Sequence, residues 1–239
     1  IMNLEEKKDI SIIVPVFNEE ENVIPLFNEI KEVLDNLSLD YEIIFINDGS
    51  SDNTLSNLSK LKPIKIINFR KNFGQTYALD AGIKNSKGSI IVTLDGDMQN
   101  DPRDIPNLIK EINKGYDIVS GWRVDRKDPF SKKFNSSLAN FFRGILIKDS
   151  IHDSGCAIKA YKRICFEDID LFGEIHRFIP GILKWQGFKI GEIKVNHRPR
   201  IKGKTKYSLS RIIKGFLDVI SVWFWRKYLN RPLHLFGAS

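Results

Sequence analysis

The sequence contains only two cysteines, Cys156 and Cys165, among its 239 residues. At this separation they form neither a zinc-binding spacing nor a disulfide framework, so a reducing compartment is the default expectation. The four histidines share no metal-ligand spacing, which favours structural or hydrogen-bonding roles for each of them. No uninterrupted run of about 18 apolar residues occurs, and we therefore predict no membrane-spanning helix within these residues.

Glycine-rich phosphate-binding motifs are also missing. The sequence has neither Gly-x-Gly-x-x-Gly nor Gly-x-x-x-x-Gly-Lys-Ser/Thr, so neither dinucleotide binding nor a Walker-type loop is indicated. Positive charge is in excess, because 37 Lys and Arg residues outnumber 30 Asp and Glu residues, for a net charge of +7. This excess favours an anionic partner, such as a nucleotide, an anionic lipid or a nucleic acid. No recognised nucleic-acid-binding motif accompanies it, and we expect no nucleic-acid partner.

Strand-like and helix-like segments alternate along the first half of the chain. Apolar runs predict strands at residues 10–16, 41–46, 64–68, 89–94 and 117–121. Amphipathic stretches predict helices at residues 20–37, 52–61, 75–85 and 102–112. This order predicts an α/β fold with an open, mostly parallel sheet and helices on both faces. The second half is less regular, with strands predicted at 157–161 and 189–195 and helices at 134–147, 163–171, 177–186 and 208–228.

The fourth predicted strand ends in Asp95-Gly96-Asp97, and Gln99 follows two places later. Parallel α/β sheets bind ligands just beyond the carboxyl ends of their strands, which is where these side chains fall. Carboxylate and amide oxygens suit Mg²⁺ or Mn²⁺, which keep substrate phosphates among their ligands. The alternative is a solvated turn with capping aspartates, because Asp-x-Asp alone often occurs by chance.

Three other loops, at residues 15–19, 47–52 and 70–74, also fall at the carboxyl ends of predicted strands. We expect all four loops to converge on one crevice. Asp48 is suited to accept a hydrogen bond from a base imide, and Phe17 to pack on the base. Turn and helix-capping roles would by themselves also explain Asp48 and its neighbour Asp52.

A basic loop follows the last predicted strand. Within nine residues it carries five cations around Gly203, namely Arg198, Arg200, Lys202, Lys204 and Lys206. Such a loop is suited to close over a diphosphate, with Arg as a bidentate fork and Lys as a point charge. The alternative is a solvated surface loop.

The predicted helix at 208–228 combines an apolar face, including Trp223 and Trp225, with several Lys and Arg side chains. This mixture favours contact with a membrane surface at the level of the headgroups. The alternatives are a helix that packs into the core and an apolar face that contacts a second copy in a homo-oligomer.

Together these motifs resemble family 2 glycosyltransferases of the polyprenyl-phosphate sugar synthase type, which include dolichol-phosphate mannose synthases and bacterial polyprenyl-phosphate glucosyltransferases. The resemblance covers nearly the whole chain and is carried by segments 14–20, 47–52, 70–75, 94–102, 153–156, 176–180 and 197–207. Any one segment is weak, but their order and spacing together are specific. Two positions depart from the pattern: Asn47 stands at an often acidic position, and Lys132 stands where Arg is expected.

The resemblance implies a GT-A fold, a nucleotide-diphosphate sugar donor and a Mg²⁺ or Mn²⁺ cofactor. It assigns donor binding to Pro15, Phe17, Glu19, Ile46, Asp48, Lys71, Gly74, Asp95 and Gln99, and metal binding to Asp97, Gln99 and Asp95. It assigns catalytic roles to Asp95, Asp97, Arg123, Asp153, Arg177 and Arg200. It assigns contacts with donor and acceptor phosphates to Lys132, Arg198, Lys202, Lys204, Lys206 and Tyr207.

The resemblance also implies the reaction, a single inverting transfer of a hexose-type sugar to a polyprenyl monophosphate with a β-linked product. The sequence Asn72-Phe73-Gly74-Gln75 favours a UDP-sugar over GDP-mannose. A GT-A domain is expected at 1–207, with a nucleotide-sugar half at about 1–123 and an acceptor half at about 124–207. Residues 208–239 would then form a juxtamembrane segment leading to a membrane anchor beyond residue 239, at the cytoplasmic face of the cell or endoplasmic reticulum membrane.

Three other enzyme classes are alternatives to this one. A haloacid-dehalogenase-type phosphatase also places Asp-x-Asp after a strand, but it favours Thr or Val where this chain has Gln99. A processive polysaccharide synthase would carry Gln-x-x-Arg-Trp, which is absent. A family 2 transferase that acts on a soluble glycan or a protein is the remaining alternative, and it is separable by whether a lipid phosphate is required.

Overall fold

The computed structural model describes residues 8–124, 151–167, 169–173, 175–199 and Phe224. The helix predicted at 134–147, the helix predicted at 208–228 apart from Phe224, and the domain boundary predicted after residue 207 lie outside these residues. Among the described residues, no helix combines the length and the apolar character needed to cross a bilayer.

Within this part of the chain, seven strands form one sheet. They are β1 (Lys8–Val16), β2 (Tyr41–Asn47), β3 (Lys65–Asn68), β4 (Gly88–Thr93), β5 (Ile118–Trp122), β6 (Lys159–Lys162) and β7 (Ile190–Lys194). Their order across the sheet is β3-β2-β1-β4-β6-β5-β7. All pairings are parallel except those of β6, which runs antiparallel to both β4 and β5. The predicted mostly parallel α/β sheet is confirmed.

Both faces of the sheet are buried, which explains why its central strands are apolar nearly throughout. In β1, Ile12 and Val14 face one hydrophobic core, whereas Ile13 between them faces the other. All three side chains are fully buried. Because successive side chains of a strand point to opposite faces of the sheet, β1 contributes side chains to both cores.

Five helices cover the two faces in the described residues: α1 (Val23–Asp35), α2 (Thr54–Leu58), α3 (Gln75–Lys84), α4 (Ile105–Asn113) and α5 (Ile179–Trp185). The first core takes side chains from α1, α2 and α4, and the second takes them from α3 and α5. In α4, Ile105, Leu108, Ile109 and Ile112 recur at helical spacing and are all buried. Amphipathic periodicity thus identifies the helix face that packs on the sheet.

The helix predicted at 163–171 is wrong in extent, because only a short 3-10 turn forms at Arg163–Phe166. The chain beyond it is held against α3 instead. Asp170 pairs with Lys84 at 2.6 Å, and the Leu171 amide donates to the Asp80 carboxylate at 3.1 Å. The Leu171 amide thus finds its acceptor on α3 instead of in a continued helix. The helix predicted at 177–186 begins two residues later, as α5, after a 3-10 turn at Ile175–Arg177.

The antiparallel direction of β6 determines where the chain before it lies. Because β4 and β5 end at the edge of the sheet where β6 begins, the turn at 153–156 lies at that same edge. This places Asp153 near the residues that follow β4 and β5.

Candidate functional site

The loops that follow β1 and β2 are joined by direct hydrogen bonds. The Asn18 amide donates to Ser50 Oγ at 2.9 Å, and the Ser51 amide donates to Asn18 Oδ1 at 2.8 Å. Asn18 has a φ of 56°, in the left-handed region that Asn tolerates better than most residues. At the carboxyl ends of β1 and β2, where the crevice was expected, the two loops are therefore hydrogen-bonded to each other.

Asp48 anchors the loop that follows β3. Its Oδ1 accepts from the Phe73 amide at 2.7 Å and its Oδ2 from the Gly74 amide at 2.9 Å, and the residue is only 4% exposed. The turn role anticipated for Asp48 thus accounts for contacts of both oxygens, and its nucleoside role stays a prediction. Asp52 accepts from the Thr54 amide at 3.0 Å and from the Glu20 amide at 3.2 Å, which is the chemistry of a helix start.

The other predicted donor-binding residues surround the same loops. Pro15 of β1 and Ile46 of β2 are direct partners in the sheet register. Glu19 accepts from Asn22 Nδ2 at 2.6 Å, and the Lys71 ammonium lies 5.1 Å above the centre of the Phe73 ring. Phe17 is partly exposed in the loop after β1.

Asn47 occupies the position where relatives of this type often carry an acid. Its Nδ2 donates to Asn68 Oδ1 at 2.7 Å, so the amide joins the ends of β2 and β3. A carboxylate there would have no proton to donate, which gives the departure at Asn47 a structural reason.

The acidic loop after β4 packs tightly against the end of β1. A Cβ atom on Gly96 would lie 2.6 Å from Val16 Cγ1, which explains the glycine between the two aspartates. Met98 adopts a φ of 63°, a backbone conformation that is unfavourable for a residue with a side chain. The surrounding structure must stabilise it. The Gln99 amide donates to Asp97 Oδ1 at 3.1 Å and closes the loop.

The carboxylate of Asp97 destabilises the charge of its neighbour Asp95. Burial and the nearby Asp97 raise the pKa of Asp95 to about 6, against the opposing effects of Lys159, Arg123 and Arg177. Asp95 Oδ1 also accepts from Gln75 Nε2 at 2.7 Å. A cation bound between these carboxylates would favour the charged form of Asp95.

The donor set fits a divalent ion that shares its ligands with a substrate. The described residues contain no group of three or more His, Cys, Asp or Glu side chains arranged as metal ligands. Asp95 and Asp97 would thus supply two carboxylates, beside the amide oxygen of Gln99. Mg²⁺ and Mn²⁺ are commonly held in this way, with phosphate or water completing the coordination.

Arg123 and Asp153 form a largely buried, bidentate ion pair. Arg123 Nε lies 2.6 Å from Asp153 Oδ2, and Nη2 lies 2.9 Å from Oδ1. Burial opposes the charge of Arg123, but the Asp153 carboxylate outweighs that effect and raises the pKa of the guanidinium. The pair fixes the turn at 153–156 to the end of β5. Each of these two predicted catalytic residues therefore holds the other in place.

The basic loop begins directly beside the acidic loop. The Arg198 amide donates to the Gln99 carbonyl at 2.9 Å, next to a β-bridge between Asn100 and His197. The Arg198 side chain binds Glu29 at 2.6 Å and Asp101 at 2.8 Å, so its predicted phosphate contact would require exchange of these ion pairs. The remaining predicted cations and phosphate contacts lie outside the described residues, namely Lys132, Arg200, Lys202, Lys204, Lys206 and Tyr207.

A cavity of about 100 Å³ lies between β4, β6, α3 and the 3-10 turn at Ile175–Arg177. Its polar lining includes Gln75, Asp95, Lys159, His176 and Arg177. Arg177 was predicted at the site, whereas Lys159 was not. A charged residue inside the strand predicted at residues 157–161 was the available signal.

His176 and Cys156, which also line the cavity, both have the roles expected from the sequence. His176 Nδ1 lies 2.8 Å from the Thr76 hydroxyl and joins the 3-10 turn to α3. Cys156 is fully buried, and burial raises the pKa of its thiol to about 11, which leaves it a packed rather than a nucleophilic residue.

Comparison with known proteins gives a consistent family. Residues 11–170 match the family described as Glycosyl transferase family 2. The chain is 39% identical to a dodecaprenyl-phosphate galacturonate synthase of Rhizobium johnstonii over 96% of this chain and 71% of that protein. It is 32% identical to an undecaprenyl-phosphate 4-deoxy-4-formamido-L-arabinose transferase of Aeromonas hydrophila, over 92% of this chain and 69% of that protein.

Solved structures agree in fold. A glucosyl-3-phosphoglycerate synthase of Mycobacterium tuberculosis, determined with Mn²⁺, UDP-glucose and phosphoglyceric acid, has a TM-score of 0.73 at 16% identity. The match covers 92% of this chain and 79% of that one. A mannosyl-3-phosphoglycerate synthase of Rubrobacter xylanophilus has a TM-score of 0.74 at 15% identity, over 92% and 75% of the two chains. These likenesses show the fold that the sequence motifs imply.

Proposed function

Because the chain belongs to glycosyl transferase family 2, we propose that it transfers a sugar from a nucleotide-diphosphate sugar to a polyprenyl monophosphate. The observation that carries the proposal is the pair of neighbouring carboxylates, half-buried Asp95 and buried Asp97, in a closed loop at the end of β4. The beginning of the basic loop lies against the same residues. Relatives named for dodecaprenyl phosphate and undecaprenyl phosphate support the choice of acceptor.

The proposed donor carries uridine diphosphate rather than guanosine diphosphate. Asp48 and the loop at 70–74 form one hydrogen-bonded unit beside β1 and β2, which suits a flat base packed near Phe17. The structure of similar fold that contains UDP-glucose and Mn²⁺ supports this choice of nucleotide. Asp95, Asp97 and Gln99 would hold the cation, which would neutralise charge on the departing diphosphate.

The proposed chemistry is one displacement. An oxygen of the lipid phosphate forms a bond to the anomeric carbon on the face opposite the diphosphate, while the bond to the diphosphate oxygen breaks and its electron pair leaves with the nucleotide. The configuration inverts, giving a β-linked product from an α-linked donor. A phosphate monoester has its second pKa near 6, so it is already ionised near neutral pH and needs no strong general base.

The chain's own cations orient this reaction. The Arg123–Asp153 pair presents one guanidinium at a fixed place beside the acidic loop, and Arg177 lines the cavity next to Asp95. Positive groups held in advance near the developing charge lower the barrier without reorganising during the reaction. Arg200, Lys202 and the rest of the basic loop are proposed to bind the donor and acceptor phosphates.

A lipid acceptor places the reaction at a membrane surface, and we assign it to the cytoplasmic face, where nucleotide sugars are available. The net charge of +7 suits an anionic leaflet. The segment at 208–239 is the proposed contact with that surface, with a second copy of the chain as the other candidate partner.

The test of the donor site is thermal unfolding with UDP, GDP or CDP, each with and without Mn²⁺. A ligand that binds only the folded state, at about 100 times its Kd, stabilises it by about 2.7 kcal/mol. This amounts to several degrees in a chain of this size. We expect UDP with Mn²⁺ to give the largest shift.

Asp97→Asn should abolish the metal-dependent part of this shift. Asp170→Asn is the matched control, because the Asp170 side chain is 83% exposed and pairs with the exposed Lys84. Absence of any nucleotide stabilisation in the unaltered protein would contradict the proposal.

A further inference from the structure

Glu192 of β7 carries a carboxylate on a face of the sheet that otherwise packs against the second core. Ile190, two positions earlier on the same face, packs against that core, and Ser120 of β5 is the register partner of Glu192. The Glu192 side chain is only 13% exposed. A carboxylate so close to the interior needs hydrogen-bond donors of the protein in place of water.

The donors come from the residues at the start of the turn at 153–156. Glu192 Oε1 accepts from the His152 amide at 2.9 Å and from the Asp153 amide at 3.4 Å. Its Oε2 lies 3.0 Å from the His152 amide and 2.8 Å from His152 Nδ1. The His152 ring also stacks on Trp122 of β5, with 4.4 Å between the ring centres. The carboxylate of Glu192 thus holds the backbone that enters the turn.

The other end of the same turn is held by a side chain of opposite charge. The ammonium of Lys159, on β6, donates to the carbonyls of Ser154, at 3.2 Å, and Cys156. Lys159 and Glu192 flank Ser120 in the register, one from β6 and the other from β7. The carboxylate therefore binds amides of the turn and the ammonium binds its carbonyls, so that each end has a charge-assisted anchor.

The turn carries Asp153, whose carboxylate holds Arg123. Asp153 Oδ2 accepts from Arg123 Nε at 2.6 Å and from the Arg123 amide at 3.3 Å. A bidentate pair requires that both planar groups keep their orientation. Glu192 binds the backbone of Asp153, whereas the Asp153 side chain binds Arg123, so an effect of Glu192 on the guanidinium passes through Asp153.

We propose that Glu192 is a positioning residue for sugar transfer, which fixes the backbone of Asp153 and through it the guanidinium of Arg123. The inference rests on the proposed function, since that function makes Arg123 a group that orients the reacting phosphates. The competing role is general stabilisation of the fold. Glu42 offers the matched control, because it lies at the opposite edge of the sheet, near the start of β2, and also anchors a neighbouring segment. It accepts from the Ser11 hydroxyl at 2.6 Å and from the Lys87 amide.

The first test is hydrogen exchange of the whole chain, read by mass spectrometry in peptides that cover residues 151–156. Glu192→Ala removes both acceptor oxygens, and the amides of His152 and Asp153 should exchange about tenfold or more faster. Glu192→Gln keeps one acceptor oxygen and should give a smaller increase. Glu42→Ala should leave exchange in these peptides unchanged. Unchanged exchange in folded Glu192→Ala would overturn the proposal.

The second test is steady-state transfer to undecaprenyl phosphate in vesicles with Mn²⁺. The donor is whichever of UDP-glucose, UDP-galactose, UDP-glucuronate and UDP-galacturonate the unaltered protein uses fastest. Glu192→Ala should lower kcat about tenfold or more, because a displaced guanidinium no longer meets the developing charge. The KM of the donor should change by less than about twofold. Glu42→Ala, assayed where both variants are folded, should keep the kcat of the unaltered protein. An equal fall in both variants would show general stabilisation and overturn the positioning role.

The route through Asp153 is tested by combining two substitutions. In the Asp153→Asn background, Glu192→Ala should lower kcat little further, because the contact through which it acts is already weakened. Losses that multiply in the double variant would overturn this route. If the unaltered protein forms no lipid-linked product with any of the four donors, the proposed function fails. The exchange measurement still decides whether Glu192 holds the turn, so the two failures are distinguishable.

Discussion

Asp48→Asn is expected to loosen the loop at 70–74 and to lower the free energy of unfolding. The substitution keeps the shape of the side chain but replaces one acceptor oxygen by an NH₂ group. One of the two backbone amides, of Phe73 or Gly74, would then face a donor instead of an acceptor. The other would bind a neutral oxygen instead of a charged one.

The magnitude follows from the two hydrogen bonds, at 2.7 and 2.9 Å. Hydrogen bonds to charged groups contribute about 1.5–3 kcal/mol each, and an unsatisfied buried amide costs about 1–3 kcal/mol. The expected loss is about 3 kcal/mol, which corresponds to roughly 10 °C in Tm for a chain of this length. UDP affinity should fall as well, because the loop that borders the proposed nucleoside site loses its anchor.

The assay is urea denaturation of the variant beside Asp40→Asn. Both carboxylate oxygens of Asp40 also accept hydrogen bonds, from the Lys8 ammonium at 3.0 Å. The Asp40 side chain is, however, 56% exposed. Exposed ion pairs contribute about 0–1 kcal/mol, so the control should change little. A free energy of unfolding for Asp48→Asn equal to that of the control would refute the anchoring role derived for Asp48.

Three further substitutions test other contacts. Gly96→Ala forces a Cβ atom against Val16 and should weaken metal-dependent UDP binding about tenfold or more in titration calorimetry. Asp153→Asn leaves Arg123 without its carboxylate and should lower kcat in steady-state assays, with a smaller change in KM for the donor. Burial raises the pKa of Asp117, but its hydrogen bonds to Lys162 and Lys189 outweigh this and lower it. Asp117→Asn should thus cost about 1 kcal/mol at neutral pH. That difference should disappear as the pH falls from the unfolded value of about 4 through the folded pKa; a pH-independent difference would refute it.

The sheet and the acidic loop were predictable because local patterns determine them. Alternating apolar runs and amphipathic stretches require a parallel sheet, and a strand that stops at Asp95 must present its carboxylates at the ligand-binding edge. Gly96 and Gln99 lie in the same loop as the two aspartates, as their spacing in the sequence predicts. Residue type and spacing within ten positions were sufficient to predict where this loop lies in the fold.

Long-range partners were not predictable from one sequence. Nothing local indicates that Arg123 and Asp153, thirty residues apart, form a bidentate pair, or that β6 inserts antiparallel between β4 and β5. The position of Lys159 depends on that insertion. The helix predicted at 163–171 failed for the same reason, because contacts between its second half and α3 prevailed over local preference.

The most direct test of the central claim is a comparison of acceptors in one assay. The protein is incubated with Mn²⁺ and a UDP-sugar, and with vesicles that contain either polyprenyl phosphate or the corresponding unphosphorylated polyprenol, and the lipid extract is analysed by mass spectrometry. The account predicts a polyprenyl-phosphate sugar only in vesicles with the phosphate, and loss of that product with a chelator. Absence of product on the lipid phosphate, while the nucleotide sugar still binds the protein, would contradict it.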